Sequence, residues 1–375
     1  MNSFLYLCTD VMILSHISIV NYRNIAQAEL DFSPGINCLI GNNGEGKTNL
    51  LDAIYFLSLS KSSFTSQDSL CILHDAGMMS LGGDYVDEDG TTESIRVGLK
   101  RGQKKIMRRG AKTYKRISDH IGLIPLVLIS PEDNTLVSGD SAERRRFMDS
   151  VIAQTSPPYL EALTSYAKAL QQRNALLKAE NEPDPTLLSL WEEEMARHGA
   201  LIYEQRKAFI QQFTPVFQAT YDAISQHHEE VSLTYESHGE RGNLLETIRN
   251  GRDKDRIVGY SLHGTHRDDL SMTVDGYPLR REASLGQKRT MVLSMKMAQF
   301  DFLRHSGSGT TPILLLDDIF DRLDARRVEQ IVELVSSQRF GQTFITDTNR
   351  DHLDSILEST SRSHRIFSVQ GGHIA

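Results

Sequence analysis

The chain has 375 residues, 39% of them hydrophobic, enough to bury a sizeable core in one large domain with an insertion or in two ordinary domains. Its three cysteines, Cys8, Cys38 and Cys71, are odd in number and lack paired or metal-ligand spacing, which argues against a disulfide framework or a zinc site and fits a reducing compartment. A net charge of −8 gives no global electrostatic reason to expect nucleic acid, so any such site has to be a local basic patch.

The apolar start of the chain has no basic residue before it and is interrupted by Asp10, which argues against a signal peptide. Met12 opens a cleaner strand pattern, so residues 1–11 read as an extension or a misplaced start. No apolar stretch approaches the roughly 20 residues of a membrane span, and a soluble, cytoplasmic protein with no membrane partner is expected. Strands are expected at 13–20, 36–40, 95–99 and 126–129, with turn residues clustered at 82–90.

The run Gly41-Asn42-Asn43-Gly44-Glu45-Gly46-Lys47-Thr48 follows an apolar strand and precedes a helical pattern at Leu50, Leu51, Ile54, Tyr55 and Leu57. Glycines let successive backbone N–H groups curl around a polyphosphate at a helix N-terminus. Lys47 would place a cation on the β and γ phosphates, and the Thr48 hydroxyl can ligate Mg²⁺. The motif predicts an ATP site.

From Asp140 the pattern becomes helical, rich in Glu, Gln, Lys, Ala and Leu, with almost no strand signal to about residue 250. Leu160, Leu163, Ala167, Leu170, Asn174 and Leu177 alternate steps of three and four, as do Leu188, Trp191, Met195, His198, Ile202, Gln205 and Phe209. Between them Asn181-Glu182-Pro183-Asp184-Pro185 cannot continue a helix. The expectation is a helical hairpin with arms of roughly 30 Å, packed within the chain rather than as an intermolecular coiled coil.

Beyond Leu262 strands and helices alternate again, with strands around 313–316 and 343–345. The buried-type run ending in Asp317-Asp318 is a strand whose first acid would hold the Mg²⁺ hydration shell and whose second would orient or deprotonate an attacking water. About 265 residues separate it from the phosphate loop, so something large is inserted. Ser284-Leu285-Gly286-Gln287-Lys288-Arg289 opens a further helix and is a second candidate anion-facing N-terminus; alone it also fits a plain capped helix. His263, His266, Asp268 and Asp269 match no defined metal signature and read as turn and domain-joint residues.

The order of these elements resembles that of ABC-type ATPases, in which the Ser-x-Gly-Gln signature of one subunit closes over ATP held by another. Over residues 12–375 the chain resembles the RecF family of ABC/SMC-type ATPases. Asn21-Tyr22-Arg23-Asn24, Ser130-Pro131-Glu132-Asp133, Arg144-Arg145-Arg146-Phe147, Gly264-Thr265-His266-Arg267-Asp268-Asp269-Leu270 and the run from Gly286 to Thr290 carry that likeness. The resemblance implies an α/β fold, an ABC-type P-loop ATPase head with an inserted α-helical hairpin domain. The head would comprise 12–141 and 257–375, and the helical arm 142–256. It places a D-loop at Asp321, Leu323 and Asp324, and makes Ser284, Gly286 and Gln287 the surface that meets the ATP of an opposite subunit.

The chain departs from the expected pattern in three places. Thr265 stands where proline is usual, and Lys61-Ser62-Ser63-Phe64 replaces a more basic stretch. Thr346-Asp347-Thr348 occupies the place of the switch histidine of many ABC ATPases. Asp318, as in the family, is one methylene shorter than the glutamate usual in ABC ATPases, which suits slow hydrolysis.

The resemblance implies an ATP-dependent homodimer that holds DNA at gaps or junctions and releases it on hydrolysis, acting with RecR and RecO to help load the RecA recombinase. A transporter ATPase subunit would need a membrane partner, and an SMC-type architectural protein would carry a far longer coiled coil. Residues 100–116 hold nine basic residues and no acid, including Lys104, Lys105, Arg108 and Arg109. Such a run is either a solvated hairpin or a phosphate-backbone track, and the resemblance favours DNA.

Overall fold

A computed structural model of the chain describes residues 11–225, 229–306, 309–319 and 339–375. It forms two compact units, one of residues 1–132 with 300–375 and one of residues 133–299.

In the first unit, the strand Ile36–Ile40 runs parallel to Thr343–Asp347 on one side and His364–Gln370 on the other, and Ile313–Asp317 lies parallel between Thr343–Asp347 and Leu126–Ile129. Ile313–Asp317 and Thr343–Asp347 are buried at every position, as expected of a parallel sheet covered on both faces. The register sets Thr346 opposite Asp317 and Asp347 opposite Ile40, so the carboxyl ends of three strands meet at one edge. Ligands of open parallel sheets bind beyond that edge.

A second, antiparallel sheet orders Ile25–Asp31, Ile13–Tyr22, Met78–Val86, Thr92–Lys100, Ile106–Arg109 and Lys112–Thr113. The helix Lys47–Leu59 packs against strands of both sheets and exposes no residue. Leu50, Leu51, Ala53, Ile54, Phe56 and Leu57 are fully buried in it, each large side chain contributing on the order of 2 kcal/mol. A helix apolar nearly all round can only be a core element.

The second unit holds the helices Ser141–Thr155, Pro157–Lys178 and Pro185–Ser225, the last two packed against each other as the expected hairpin. The returning helix has 41 residues, about 60 Å, twice the expected arm, and Pro215 lies inside it without ending it. The expected seam was one residue out of phase in the first arm. Tyr159, Ala162, Tyr166, Ala169 and Arg173 are buried there, not Leu160, Leu163, Ala167, Leu170 and Asn174; of the expected seam only Leu177 is buried. The buried face is chosen by polar groups: Arg173, wholly buried, binds Glu192 and Asp255, while the Tyr166 hydroxyl meets His266 Nδ1 at 2.8 Å.

Residues 142–250 are not free of strand. Val231–Glu236 pairs along its length with Asp269–Val274, so the end of the expected insertion and the start of the second head segment share one sheet. For that reason residues 257–299 group with the helices, and the units divide at 132/133 and 299/300 rather than at 142 and 256. The expected extension 1–11 lies outside the described residues except for Val11, which bridges to Thr311.

Candidate nucleotide site

The phosphate-loop motif sits where its sequence pattern predicts, between the strand Ile36–Ile40 and the helix Lys47–Leu59. Gly46 has φ of 116°, and a Cβ there would lie 2.8 Å from Asn24 Oδ1, so both backbone and space require glycine. Asn24 Nδ2 donates to the Glu45 carbonyl at 3.1 Å, and Asn49 Nδ2 donates to Asn24 Oδ1 at 2.7 Å. The Glu45 carbonyl also accepts from Gly372 N at 2.8 Å, while its carboxylate accepts from Gly371 N. The loop is thus pinned by the turn after the first strand and by the C-terminal Gly-Gly turn.

Lys47 is buried. Its Nζ donates to the carbonyls of Gly41 at 2.8 Å and Asn42 at 3.2 Å and lies 3.8 Å from Asp318 Oδ1. Thr48 Oγ1 donates to Asp317 across the sheet edge, 2.9 Å from Oδ1 and 3.0 Å from Oδ2. Sequence reasoning therefore named four residues that the fold brings together: Lys47, Thr48, Asp317 and Asp318.

It missed Thr346. The Thr346 hydroxyl donates to Asp317 Oδ1 at 2.8 Å and accepts from the Asp318 backbone N–H at 2.9 Å. It lies in the segment noted only for lacking a histidine. Asp318 has φ of 44°, a left-handed conformation that aspartate tolerates better than most residues, which gives a backbone reason for aspartate at this position. Burial pushes the Asp317 carboxyl above its ordinary value, against the hydroxyls of Thr346 and Thr48 that favour the charged form.

At the same edge Asp347 accepts from Asn349 N at 2.8 Å and lies 2.9 Å from His352 Nδ1. Ser62 and Ser63, in the segment that departs from the family pattern, bind the fully buried Asp52 through hydroxyls at 2.7 and 2.9 Å, and Tyr22 donates to the same carboxylate at 2.8 Å. Asp52 thereby ties the middle of the phosphate-loop helix to the end of the first strand and to the segment that follows the helix.

In the second unit, Ser284 and Gln287 cap each other: Ser284 N donates to Gln287 Oε1 at 2.7 Å, and Gln287 N donates to Ser284 Oγ at 3.2 Å. Gly286 lies between them in the first turn of the helix Leu285–Arg304. The expected D-loop residues Asp321, Leu323 and Asp324 lie outside the described residues. Asp268 accepts from Arg206, Tyr235 and Ser237, and Asp269 takes a two-pronged ion pair from Arg144 at 2.6 and 2.9 Å. Burial holds His266 down at about 4, so it is neutral at pH 7.

The four basic candidates do not share one surface. On the strand Ile106–Arg109, Met107 enters the core and side chains alternate, so Arg108 and Arg109 point to opposite faces. Lys105 is largely buried, bound to Asp68 at 2.8 Å and to the Ser60 carbonyl, with its Nζ 5.1 Å from the Phe56 ring centre. Arg109 pairs with Glu93. Lys104 and Arg108 are exposed, as are Lys100, Lys112, Lys115 and Arg116. A cavity of about 500 Å³ is lined by Lys100, Lys104, Lys105 and Lys115.

A phosphate loop on a parallel strand, two acids on the strand two places away and an inserted helical hairpin define an ATPase head of the ABC and SMC type. The chain matches the RecF/RecN/SMC N terminal domain family over residues 13–375. It is 54% identical over 363 residues to the DNA replication and repair protein RecF of Phocaeicola vulgatus, covering 97% of this chain and 98% of that one. It is 47% identical over 364 residues to RecF of Porphyromonas gingivalis, covering 97% of this chain and the whole of that one. The chain belongs to the RecF family.

Among solved structures, the recombination mediator protein RecF-ATPrS in the RecFOR pathway superposes with a TM-score of 0.87 at 28% identity, covering 98% of both chains. An Smc head domain with an extended coiled coil from Pyrococcus furiosus gives 0.56 at 16% identity over 97% of this chain and 95% of that one, a likeness of fold alone.

Proposed function

We propose that this chain is an ATP-dependent DNA-binding switch of recombinational repair and replication, a cytoplasmic protein that dimerises on ATP, hydrolyses it slowly, and helps load a recombinase at gapped DNA. The observation that carries the reading is the convergence of Lys47, Thr48, Asp317, Asp318 and Thr346 at one sheet edge. Membership of the RecF family supports the rest, including RecO and RecR as partners.

Loop residues 41–48 would hold the phosphates, with Lys47 exchanging its two carbonyl acceptors for phosphate oxygens. Thr48 and Asp317 fit Mg²⁺: a hydroxyl and a carboxylate lie within 2.9 Å of each other, and a cation would relieve the cost of burying the Asp317 charge. No group of three or more His, Cys, Asp or Glu able to hold a metal occurs among the described residues, in keeping with an ion bound mainly by phosphate and water. Bound there, Mg²⁺ would neutralise charge developing on the phosphates. Asp318 would orient the attacking water and accept its proton, and Thr346 would hold the two acids apart in their separate roles.

Ser284, Gly286 and Gln287 would close over the ATP of a second copy. Exposed Lys104 and Arg108, with their basic neighbours, are the first candidates for phosphate-backbone contacts. A transporter role would require a membrane partner. An arm of two helices about 33 and 60 Å long also falls far short of an SMC coiled coil.

Sizing the protein with and without ATP, then with gapped and with fully duplex DNA, tests the reading. A dimer is expected only with ATP, with tighter retention on gapped DNA. A mass unchanged at saturating ATP would sink the switch.

A further inference from the structure

The long helix Pro185–Ser225 ends its buried face in an aromatic ladder, Phe209, Phe213, Phe217 and Tyr221, with successive ring centres 4.9, 6.4 and 5.9 Å apart. The ladder positions the fully buried Tyr221, whose hydroxyl donates to Glu229 Oε2. The other carboxylate oxygen, Oε1, accepts from Gln287 Nε2 at 3.0 Å. Gln287 Oε1 in turn accepts from Ser284 N at 2.7 Å. One carboxylate therefore ties the end of the arm to the turn Ser284-Leu285-Gly286-Gln287.

Glu229 is itself fixed from behind. The next residue, Glu230, donates its N–H to Asp275 Oδ1 at 2.9 Å and accepts from Asp275 N at 2.7 Å. The carboxylate thus reaches Gln287 from a clamped position. Beside the turn, Leu285 is 74% exposed, an apolar residue presented to solvent at the start of a 20-residue helix.

We propose that Glu229 is a positioning residue of this turn, aiming the Gln287 amide and setting, through its negative charge, the ATP concentration at which two copies close. The proposal rests on the reading of Ser284, Gly286 and Gln287 as the surface that meets ATP held by a second copy. An amide carries two N–H groups, so one committed to Glu229 fixes the direction of the other toward an incoming phosphate oxygen. The same carboxylate stands one amide group away from that phosphate, and like charges at such a distance repel appreciably at the surface of a protein. Aim and repulsion come from one side chain. The result is a turn that accepts phosphate in a defined direction but closes only when ATP is abundant.

The experiment is an ATP titration of dimerisation, followed by light scattering, with wild type, E229Q and E229K. Glutamine keeps an acceptor for Gln287 while removing the charge, and lysine reverses it. The concentration for half dimerisation is expected to fall about five- to tenfold for E229Q and further for E229K, with the differences shrinking at high salt. A merely structural role does not produce that ordering. Y221F loosens the carboxylate without removing its charge and is expected to stay within about twofold of wild type; a fall as large as that of E229Q overturns the proposal. So does an E229Q protein that dimerises at the wild-type ATP concentration or above it. If wild type itself stays monomeric at saturating ATP, the composite-site reading fails, and this proposal with it.

Discussion

Thr48 and Asp317 stand 269 residues apart in the sequence, yet the Thr48 hydroxyl lies 2.9 Å from Asp317 Oδ1 at the edge of one parallel sheet. The contact exists because Thr343–Asp347 lies between Ile313–Asp317 and the strand Ile36–Ile40 that leads through the phosphate loop into the helix of Thr48, and its Thr346 completes the cluster.

Thr346→Val is therefore expected to damage hydrolysis while leaving nucleotide binding. Valine keeps the shape but removes a donor to Asp317 and an acceptor for the Asp318 N–H. Steady-state ATPase assays should show kcat reduced about ten- to hundredfold with KM within about twofold, since misplaced catalytic groups cost that much. An unchanged kcat would remove Thr346 from the site.

Asp317→Asn should leave the protein inactive as an ATPase yet more stable. The folded-state carboxyl of Asp317 is raised above its ordinary 3.8 by burial, so the native state holds its proton to higher pH than the unfolded chain. Between those two values stability falls as pH rises, and above the folded value the full penalty remains. At neutral pH the asparagine variant should be the more stable of the two, and the gain should disappear as pH falls through the raised value toward 3.8. Thermal melts of both proteins from pH 4 to 8 without nucleotide check the sign.

Asp318→Asn preserves the left-handed backbone at φ 44°, because asparagine also tolerates that region. It should bind ATP, turn it over poorly and accumulate as a dimer, whereas Ser284→Arg should bind ATP and remain a monomer. An Asp318→Asn protein that is monomeric at saturating ATP would contradict the composite site.

For DNA, the structure narrows the variant worth making. Reversing Lys105 or Arg109 breaks the ion pairs with Asp68 and Glu93 and would confuse folding with binding. Lys104→Glu with Arg108→Glu touches only exposed groups. Two real phosphate contacts would lower the slope of log affinity against log salt by about 1.8 on duplex DNA, for all sequences alike. A slope unchanged in the double variant, with ATP binding intact, moves the search to other surfaces.

The phosphate loop and the acidic strand were legible because contiguous residues carry their chemistry. The four strands expected in the first third each coincide with an observed one, since apolar runs bounded by turns determine them locally. The first arm was read one residue out of phase because the wholly buried Arg173 sets its inner face, and charge pairing is invisible to a hydrophobic pattern; in the returning helix the expected Leu188, Met195, Ile202 and Phe209 are buried, with Glu192 and Arg206 in place of Trp191 and Gln205. Thr346, Asn24 and Gly372 act on the loop from distant positions, and only the sheet order brings them there. The basic run was legible as charge, but strand alternation divided it between two faces.

The helix behind the phosphate loop, Lys47–Leu59, has no exposed residue, and only Thr48, Asn49 and Tyr55 are half-buried. Beyond its first turn, water reaches its amides chiefly when the two sheets that pack on it part. Hydrogen exchange along Leu50 to Leu57 should thus report global opening of the first unit rather than local fraying. Any ligand that slows exchange there has stabilised the whole unit, whichever surface it touches.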